Sequence, residues 1–486
     1  MLYSIAVNVQ RAILADLPAD VLLCIFALVD VYGIISLGQT CKSLYSLAFS
    51  KSVWLNVLAD LKRRGFVDEA TTPDITALSA EELIDCAKRL AIGPSTWTPA
   101  PDGTFVPRVR TQRVVWQQEA TGEDFAYWSA ARLLPGGRYI MAVLDCRLAA
   151  WDIIQDRRVQ WNLDFAANTA AVLVWDAKRS GDNEHTFIVA HSTWERSDLC
   201  MVHITEVNLS SGAQTKYLST EFEMDKLSLQ SDFCVLTDVR SAIILHWRSH
   251  TAVKLQCGAR NSLLRLALIP GYAVILLSAL DRPDNMFILN EATLREHLAP
   301  FTSLLLVECL NVEGLLPSAR LMYKFEGVAL PPNTNFQYAQ TVTLAVCPSP
   351  LAPDEYRVWV TIRKRGSFRM SNTTVARMYS LRLRVFRSRK TNENLQLCLR
   401  TSTSMPSEGG WKEDDEPTFS GHSSSITRNM GEIQAFVICA TYLAVVGGKV
   451  LLPKVPGSPP PDIDVSPHAG TWLCRFQKQL VVLYFE

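Results

Sequence analysis

Between residues 129 and 163 the chain runs SAARLLPGGRYIMAVLDCRLAAWDIIQDRRVQWNL, and no other stretch restricts the fold as much. Short runs of strand-forming residues alternate with turn residues. A strand precedes Pro135-Gly136-Gly137, a second precedes a turn at Asp145, a third ends in Trp151-Asp152, and a last one runs from Arg158 to Asn162. Short strands joined by tight turns pair with their sequence neighbours, so the segment predicts a small four-stranded antiparallel sheet. One such sheet cannot bury both of its faces alone and has to pack against others.

Degenerate versions of the unit follow. SDFCVLTDVRSAIILHWRSHTAVKL predicts strands near 233–237, 241–247 and 252–256, and GYAVILLSALDRPDNMFILNEATLREHL holds two or three more. TVTLAVC, EYRVWVTI, YSLRLRVF, FVICATYLAVV and KQLVVLYFE continue the series to the end of the chain. The 129–163 unit resembles one blade of a WD-repeat β-propeller, including the Trp-Asp dipeptide. That resemblance implies an all-β repeat domain over 108–486, with seven or eight blades at about 45 to 55 residues each. Two stacked sandwiches are the rival arrangement of the same strands. Two inserts, SMPSEGGWKEDDEPTFSGHSSS and PKVPGSPPPDIDVSP, read as surface loops by composition.

The first 62 residues are patterned differently. In LADLPADVLLCIF, Asp16 is placed to cap a helix whose first turn holds Pro18, with Asp20 favoured there by the helix dipole. Leu22, Ile25, Phe26 and Val29 make one apolar stripe, while Val21, Leu23, Cys24 and Leu28 cover much of the rest. Val21 to Val29 is far shorter than the ~20 residues needed to span a bilayer. A helix apolar nearly all round must be buried nearly all round. Short stripes follow at Ile34, Leu37 and Cys41, at Leu44 and Leu47, and at Trp54, Val57, Leu58 and Leu61, the last capped by Ser50 or Ser52. Such a small bundle either docks on the rest of the chain or is completed by a partner.

Leu17-Pro18, Leu22, Ile25-Phe26, Leu37, Cys41-Lys42 and Trp54, in that order, resemble the F-box, over residues 14–62. Val31-Tyr32-Gly33 and Leu44 depart from its usual residues. The resemblance implies a helical module that binds the Skp-type adaptor of cullin–RING ubiquitin ligases, with Leu17, Pro18, Leu22, Ile25, Phe26, Leu37, Cys41 and Trp54 forming the bundle and its adaptor surface. Residues 63–107 read as a linker. Ser79 and Glu82 form a capping box for a helix near 79–91, and Pro94, Pro99, Pro101 and Pro107 mark an extended connection.

Composition excludes more than it assigns. Lys plus Arg equals Asp plus Glu, 48 against 48, so net charge gives no sign of nucleic acid. The twelve cysteines include no CxxC pair, which argues for free thiols in a reducing compartment. With no secretory signal in evidence, a cytoplasmic or nuclear chain is expected. His246 and His250 have helical metal-ligand spacing but lie in strand-like sequence, where four residues span about 13 Å, so no metal is expected. No phosphate loop, dinucleotide fingerprint or nucleophile elbow is present, and no cofactor is expected. Arg363 to Lys390 is rich in bases and free of acids. Arg363, Lys364, Arg365, Arg382, Arg384 and Arg387 are therefore either a patch for an acidic or phosphorylated partner or a solvated strand and turn.

These readings converge on a substrate-recognition subunit of a Skp–cullin–F-box ligase. Its bundle would hold the adaptor and, through it, the cullin, while its propeller would hold a protein target. It would catalyse nothing itself and would bind neither membrane nor nucleic acid. The alternatives are a propeller scaffold whose F-box has drifted and a propeller enzyme with a helical cap.

Overall fold

The architecture was obtained as a computed structural model. It describes residues 14–485 except 73, 95, 98, 99, 101, 103, 106, 107, 118–127, 145–146, 163–168, 182, 196–199, 223–225, 239, 259–261, 280–281, 320, 325–338, 366–371, 385–393, 408–417, 420–422, 430–431, 440–443, 451–461, 466–470 and 477–478.

Five helices come first: α1 (Ala19–Leu28), α2 (Val31–Gly38), α3 (Lys42–Ala48), α4 (Lys51–Arg63) and α5 (Ala80–Ile92). Pro18 itself occupies the N-cap of α1, and Leu14–Asp16 forms a short 3-10 turn, so Asp16 does not cap that helix. Proline has no side-chain acceptor, so α1 begins without a side-chain cap. The cap that does form is Asp30, whose carboxylate accepts the Gly33 N–H at 2.7 Å and starts α2. This accounts for the departure at Gly33, since a Cβ there would sit 2.0 Å from Val29 Cγ1. The capping box of Ser79 and Glu82 opens α5, with both reciprocal bonds made.

Among the described residues the strands form seven sheets. Sheet 1 is Trp128–Leu133, Tyr139–Leu144, Arg147–Asp152 and Arg157–Asn162. Sheets 2 and 3 repeat the antiparallel order from Thr169 to Phe222 and from Lys226 to Gln256. In sheet 4 the third strand, Arg282–Asn290, is followed by α6 (Glu291–Arg295) and an excursion before Leu321–Lys324 completes the sheet. The excursion lays Ala299–Pro300 and Cys309–Asn311 along the outer strand of sheet 3 and covers its edge. Sheet 5 spans Ala339 to Ser407.

The last two sheets are completed from the other end of the chain. Val109–Gln117 pairs antiparallel with Gln479–Phe485 as the outer strand of sheet 7, and Thr104–Phe105 pairs parallel with the last strand of sheet 6. The all-β domain thus starts before residue 108, inside the segment that composition assigns to the linker. The inserts also differ from expectation. Thr418–Phe419 begins sheet 6 and Asp462–Val465 begins sheet 7, and both lie in stretches that read as loops. Asp462–Val465 alternates polar and apolar residues, the strand period, and the prolines that lead into it do not interrupt it.

Packing follows from the same alternation. In the strand Ser241–His246, Ala242 and Ile244 pack toward sheet 4, while Ile243 and Leu245 pack toward sheet 2. In sheet 1, Met141 and Val143 face sheet 2, and Ile140 and Ala142 face sheet 7. A strand buried on both sides has to be apolar at every position, which is why these runs lack a polar face. Sheets 4 and 5 share a core built on Val274, Leu276, Val358 and Val360. Sheet 7 packs back on sheet 1, and the ring closes.

Candidate functional site

The first candidate is the helical bundle. Leu22, Phe26, Ile34, Leu44, Trp54, Leu58 and Leu61 form its core and are at most 3% exposed. The apolar residues on the other face of α1 stay accessible: Leu28 is 89% exposed and Val21 40%, and Tyr45 on α3 is 57% exposed. Pro18 and Cys41 are exposed, and Leu17, Ile25 and Leu37 are half-buried against the core. Leu22, Phe26 and Trp54 are thus interior, whereas Leu17, Pro18, Ile25, Leu37 and Cys41 have surface to offer. Leu44 fills a core position, so this departure from the expected residue is a packing substitution.

The second candidate is the junction between bundle and ring. The helical unit meets the turns that join the first and second strands of sheets 1, 2, 5 and 7, which lie on one face of the ring. At sheet 1, Glu69 N–H donates to Gly136 O at 2.8 Å and Gly136 N–H to Gly65 O at 3.0 Å. At sheet 2, Arg179 Nη1 donates to the Lys62 and Arg63 carbonyls at 3.3 and 3.0 Å, the C-terminus of α4. At sheet 5, Arg357 is buried and donates to the Ala91 carbonyl near the end of α5, Arg64 donates to Ser349 O, and Val31 N–H donates to Leu351 O at 3.3 Å. At sheet 7, the Thr471 hydroxyl donates to Asp68. Trp97 is wedged in the same junction, edge-on to Trp472 at 5.4 Å and to Phe485 at 5.5 Å.

The Trp-Asp dipeptide is part of this junction. Asp152 Oδ1 accepts the N–H groups of Ile154 and Gln155 and so shapes the following turn. Its other oxygen accepts from Arg138 at 2.8 Å, and Arg138 lies 3.8 Å from Glu69 of the helical unit. Burial raises the Glu69 carboxyl to about 7, with a hydrogen bond to Glu184 acting in the same direction. Burial raises Asp68 to about 6, opposed by the Thr471 hydrogen bond. Apart from Asp152 and the Gly136-Gly137 turn, these junction residues have no sequence signal, because their partners lie in segments far apart in the chain.

The remaining predicted groups are easily placed. Arg363, Lys364 and Arg365 end the second strand of sheet 5, and Arg382 and Arg384 lie on its third, but their side chains are outside the described residues, as is the whole of Arg387. His246 ends a strand and its Nδ1 pairs with the Ser249 hydroxyl at 2.7 Å, while His250 sits at positive φ in the turn beyond. Among the described residues no group of three His, Cys, Asp or Glu could hold a metal ion. The described cysteines are free, from exposed Cys24 and Cys41 to buried Cys234 and Cys474. Among the described residues no helix is long and apolar enough to cross a membrane.

A ring of short antiparallel sheets, closed by an N-terminal strand and carrying a helical module on one face, is a β-propeller with an N-terminal helical module. The module has a family of its own: residues 14–59 match the F-box-like family. No curated protein matches the chain in sequence. Solved structures similar to it include the WD40 domain of SCAP from fission yeast (9% identity, 74% of this chain and 82% of that one, TM-score 0.39). The C-terminal WD40 domain of Sif2 (10%, 74% and 82%, 0.37) and Kluyveromyces lactis Hsv2 (8%, 72% and 90%, 0.37) are similar at the same level. At these TM-scores the likeness carries no further weight, and the order and closure of the sheets define the propeller.

Proposed function

We propose that the chain is the substrate-recognition subunit of a Skp–cullin–F-box ubiquitin ligase. The F-box-like bundle takes the Skp-type adaptor and the propeller takes the protein target. The observation that carries this reading is the division of labour within the bundle. Its core closes on Leu22, Phe26 and Trp54 and its α4 end is fastened to the ring, yet α1 and α3 keep Val21, Leu28 and Tyr45 at the surface. Exposed apolar side chains on a module already docked elsewhere fit a second partner. The helical unit occupies the face made by the first turns of the sheets, which leaves the opposite face and the rim to a target.

The chain catalyses nothing in this role and needs no cofactor. It holds target and adaptor at a fixed separation, which raises the effective concentration of a target lysine near the activated ubiquitin. The test is co-purification of the full chain with a Skp-type adaptor, comparing wild type with a Val21→Asp, Leu28→Asp double variant. Both positions are exposed, so the variant is expected to unfold at the wild-type temperature while losing the adaptor. A wild-type chain that captures no adaptor refutes the ligase role and leaves a scaffold. Capture unchanged by the double variant refutes this placement of the interface.

A further inference from the structure

A cavity of about 80 Å³ lies in the junction between α5, the segment after α4, and the strands Val109–Gln117 and Gln479–Phe485. It opens into a groove of about 970 Å³ along α5. Two buried polar groups line the inner cavity with their hydrogen-bonding capacity incompletely used. The Tyr484 side chain is 4% exposed, and among the described residues its hydroxyl has no hydrogen-bond partner. Asp68 is 7% exposed, and among the described residues its carboxylate accepts from Thr471 and forms no ion pair. A buried hydroxyl and a buried carboxylate left in this condition are costly, and native structures keep such groups mainly where something else completes them.

The mouth carries the opposite charge. Arg89 of α5 and Arg110 of the first long strand line both the cavity and the groove. Cys86 lies between the two ends, since its thiol feels Arg89, Asp68 and Arg110 together. The outer groove is mixed in charge, with Asp74, Glu82 and Asp85 beside Lys88, but at the mouth itself a simple anion would meet Asp68 and a simple cation would pass the two guanidinium groups. Only a ligand with both charges satisfies both ends.

We propose that this cavity binds a small zwitterion of the amino-acid type. Its ammonium group sits on Asp68 and Tyr484, with the Thr71 and Thr72 side chains as further neighbours, and its carboxylate is held at Arg89 and Arg110. Val67, Leu90 and Phe485 supply apolar wall for a short carbon skeleton. The site is independent of the ligase reading, because every group it uses lies in the linker or the propeller and none in the adaptor face.

The test is isothermal titration of the full chain with L-alanine and L-lysine. Alaninamide and N-acetylalanine, each with one of the two charges, also mimic the N- and C-terminus of a peptide. At least one free amino acid is expected to bind at a single site, and each one-charge analogue at least tenfold more weakly. Arg110→Ala and Tyr484→Phe should each weaken binding by about tenfold, and Asp68→Asn should abolish it. Tyr484→Phe removes a single oxygen and keeps the test decisive if Asp68→Asn does not fold. The proposal is overturned if neither amino acid binds, if a one-charge analogue binds as well, or if affinity is unchanged in Arg110→Ala and Tyr484→Phe.

Discussion

Asp68→Asn has an effect whose sign reverses with pH. The Asp68 carboxyl moves from 3.8 to about 6, chiefly by burial, against the Thr471 hydrogen bond. A shift of that size corresponds to ~3 kcal/mol of stability lost on ionisation, at about 1.4 kcal/mol per unit. Below pH 3.8 the group is protonated in both folded and unfolded chains and contributes nothing. Between 3.8 and about 6 the unfolded chain releases its proton first, so stability falls as pH rises, and above that range the full cost is present. Asparagine keeps an oxygen for the Thr471 hydroxyl but brings an amide N–H₂ that must be buried, at roughly 1 to 2 kcal/mol if unpaired. The variant should therefore be less stable than wild type by about that amount near pH 3.5, and more stable by about 1 to 2 kcal/mol at pH 8. Urea unfolding at a series of pH values, followed by tryptophan fluorescence, to which Trp97 and Trp472 of the same junction contribute, reads the difference. A wild-type-to-variant difference that stays constant from pH 3.5 to 8 would show that Asp68 ionises normally and refute the reasoning.

Three further substitutions separate the parts of the molecule. Gly137→Ala places a Cβ 2.1 Å from Asp68 Oδ1 at a residue with φ of +64°, so it should destabilise the chain by at least ~2 kcal/mol and increase protease cleavage near residues 65–72. Equal stability of this variant would mean that the helical unit does not rest on sheet 1. Leu22→Ala removes a fully buried side chain and should cost ~3 kcal/mol in bundle stability, in contrast to the surface change at Leu28, and differential scanning calorimetry distinguishes the two. Tyr484→Phe deletes a buried hydroxyl without a described partner and should raise the melting temperature of the ligand-free chain, by an amount equivalent to about 1 kcal/mol; a lowered melting temperature would show that the hydroxyl is already bonded.

Local features were legible in the sequence where the physics is local. The strands Phe233–Thr237, Ser241–His246 and Thr251–Gln256 follow the apolar runs within a residue or so, and the Ser79–Glu82 box forms as its spacing dictates. Failures came where composition stood in for pattern. Asp462–Val465 is hidden by the prolines before it. The junction could not be read at all. Asp68 and Thr471, Arg179 and the end of α4, and Arg357 and the end of α5 meet only because the ring closes and returns distant turns to one face. The helix around Leu22 posed a question that spacing left open, whether its bundle docks on the chain or waits for a partner. The structure answers the first half: the α4 end docks, and the exposed side of α1 remains.

The chemistry of that docking bears on how rigid the two modules are. A helix C-terminus leaves carbonyl oxygens without intrahelical partners, and the macrodipole makes that end negative. Arg179 reaches the Lys62 and Arg63 carbonyls from sheet 2, and Arg357 reaches Ala91 from sheet 5, so the ends of α4 and α5 are satisfied by the propeller. Arg357 is 8% exposed, and its bond to the Ala91 carbonyl would be lost if the bundle left the ring. Swinging the bundle off the ring would break both contacts at once and strand both sets of carbonyls. A bundle held this way cannot pivot as it would on a flexible tether. A partner bound at Leu28 would therefore be carried at a fixed distance and angle from anything bound by the propeller, which is what the proposed role would need.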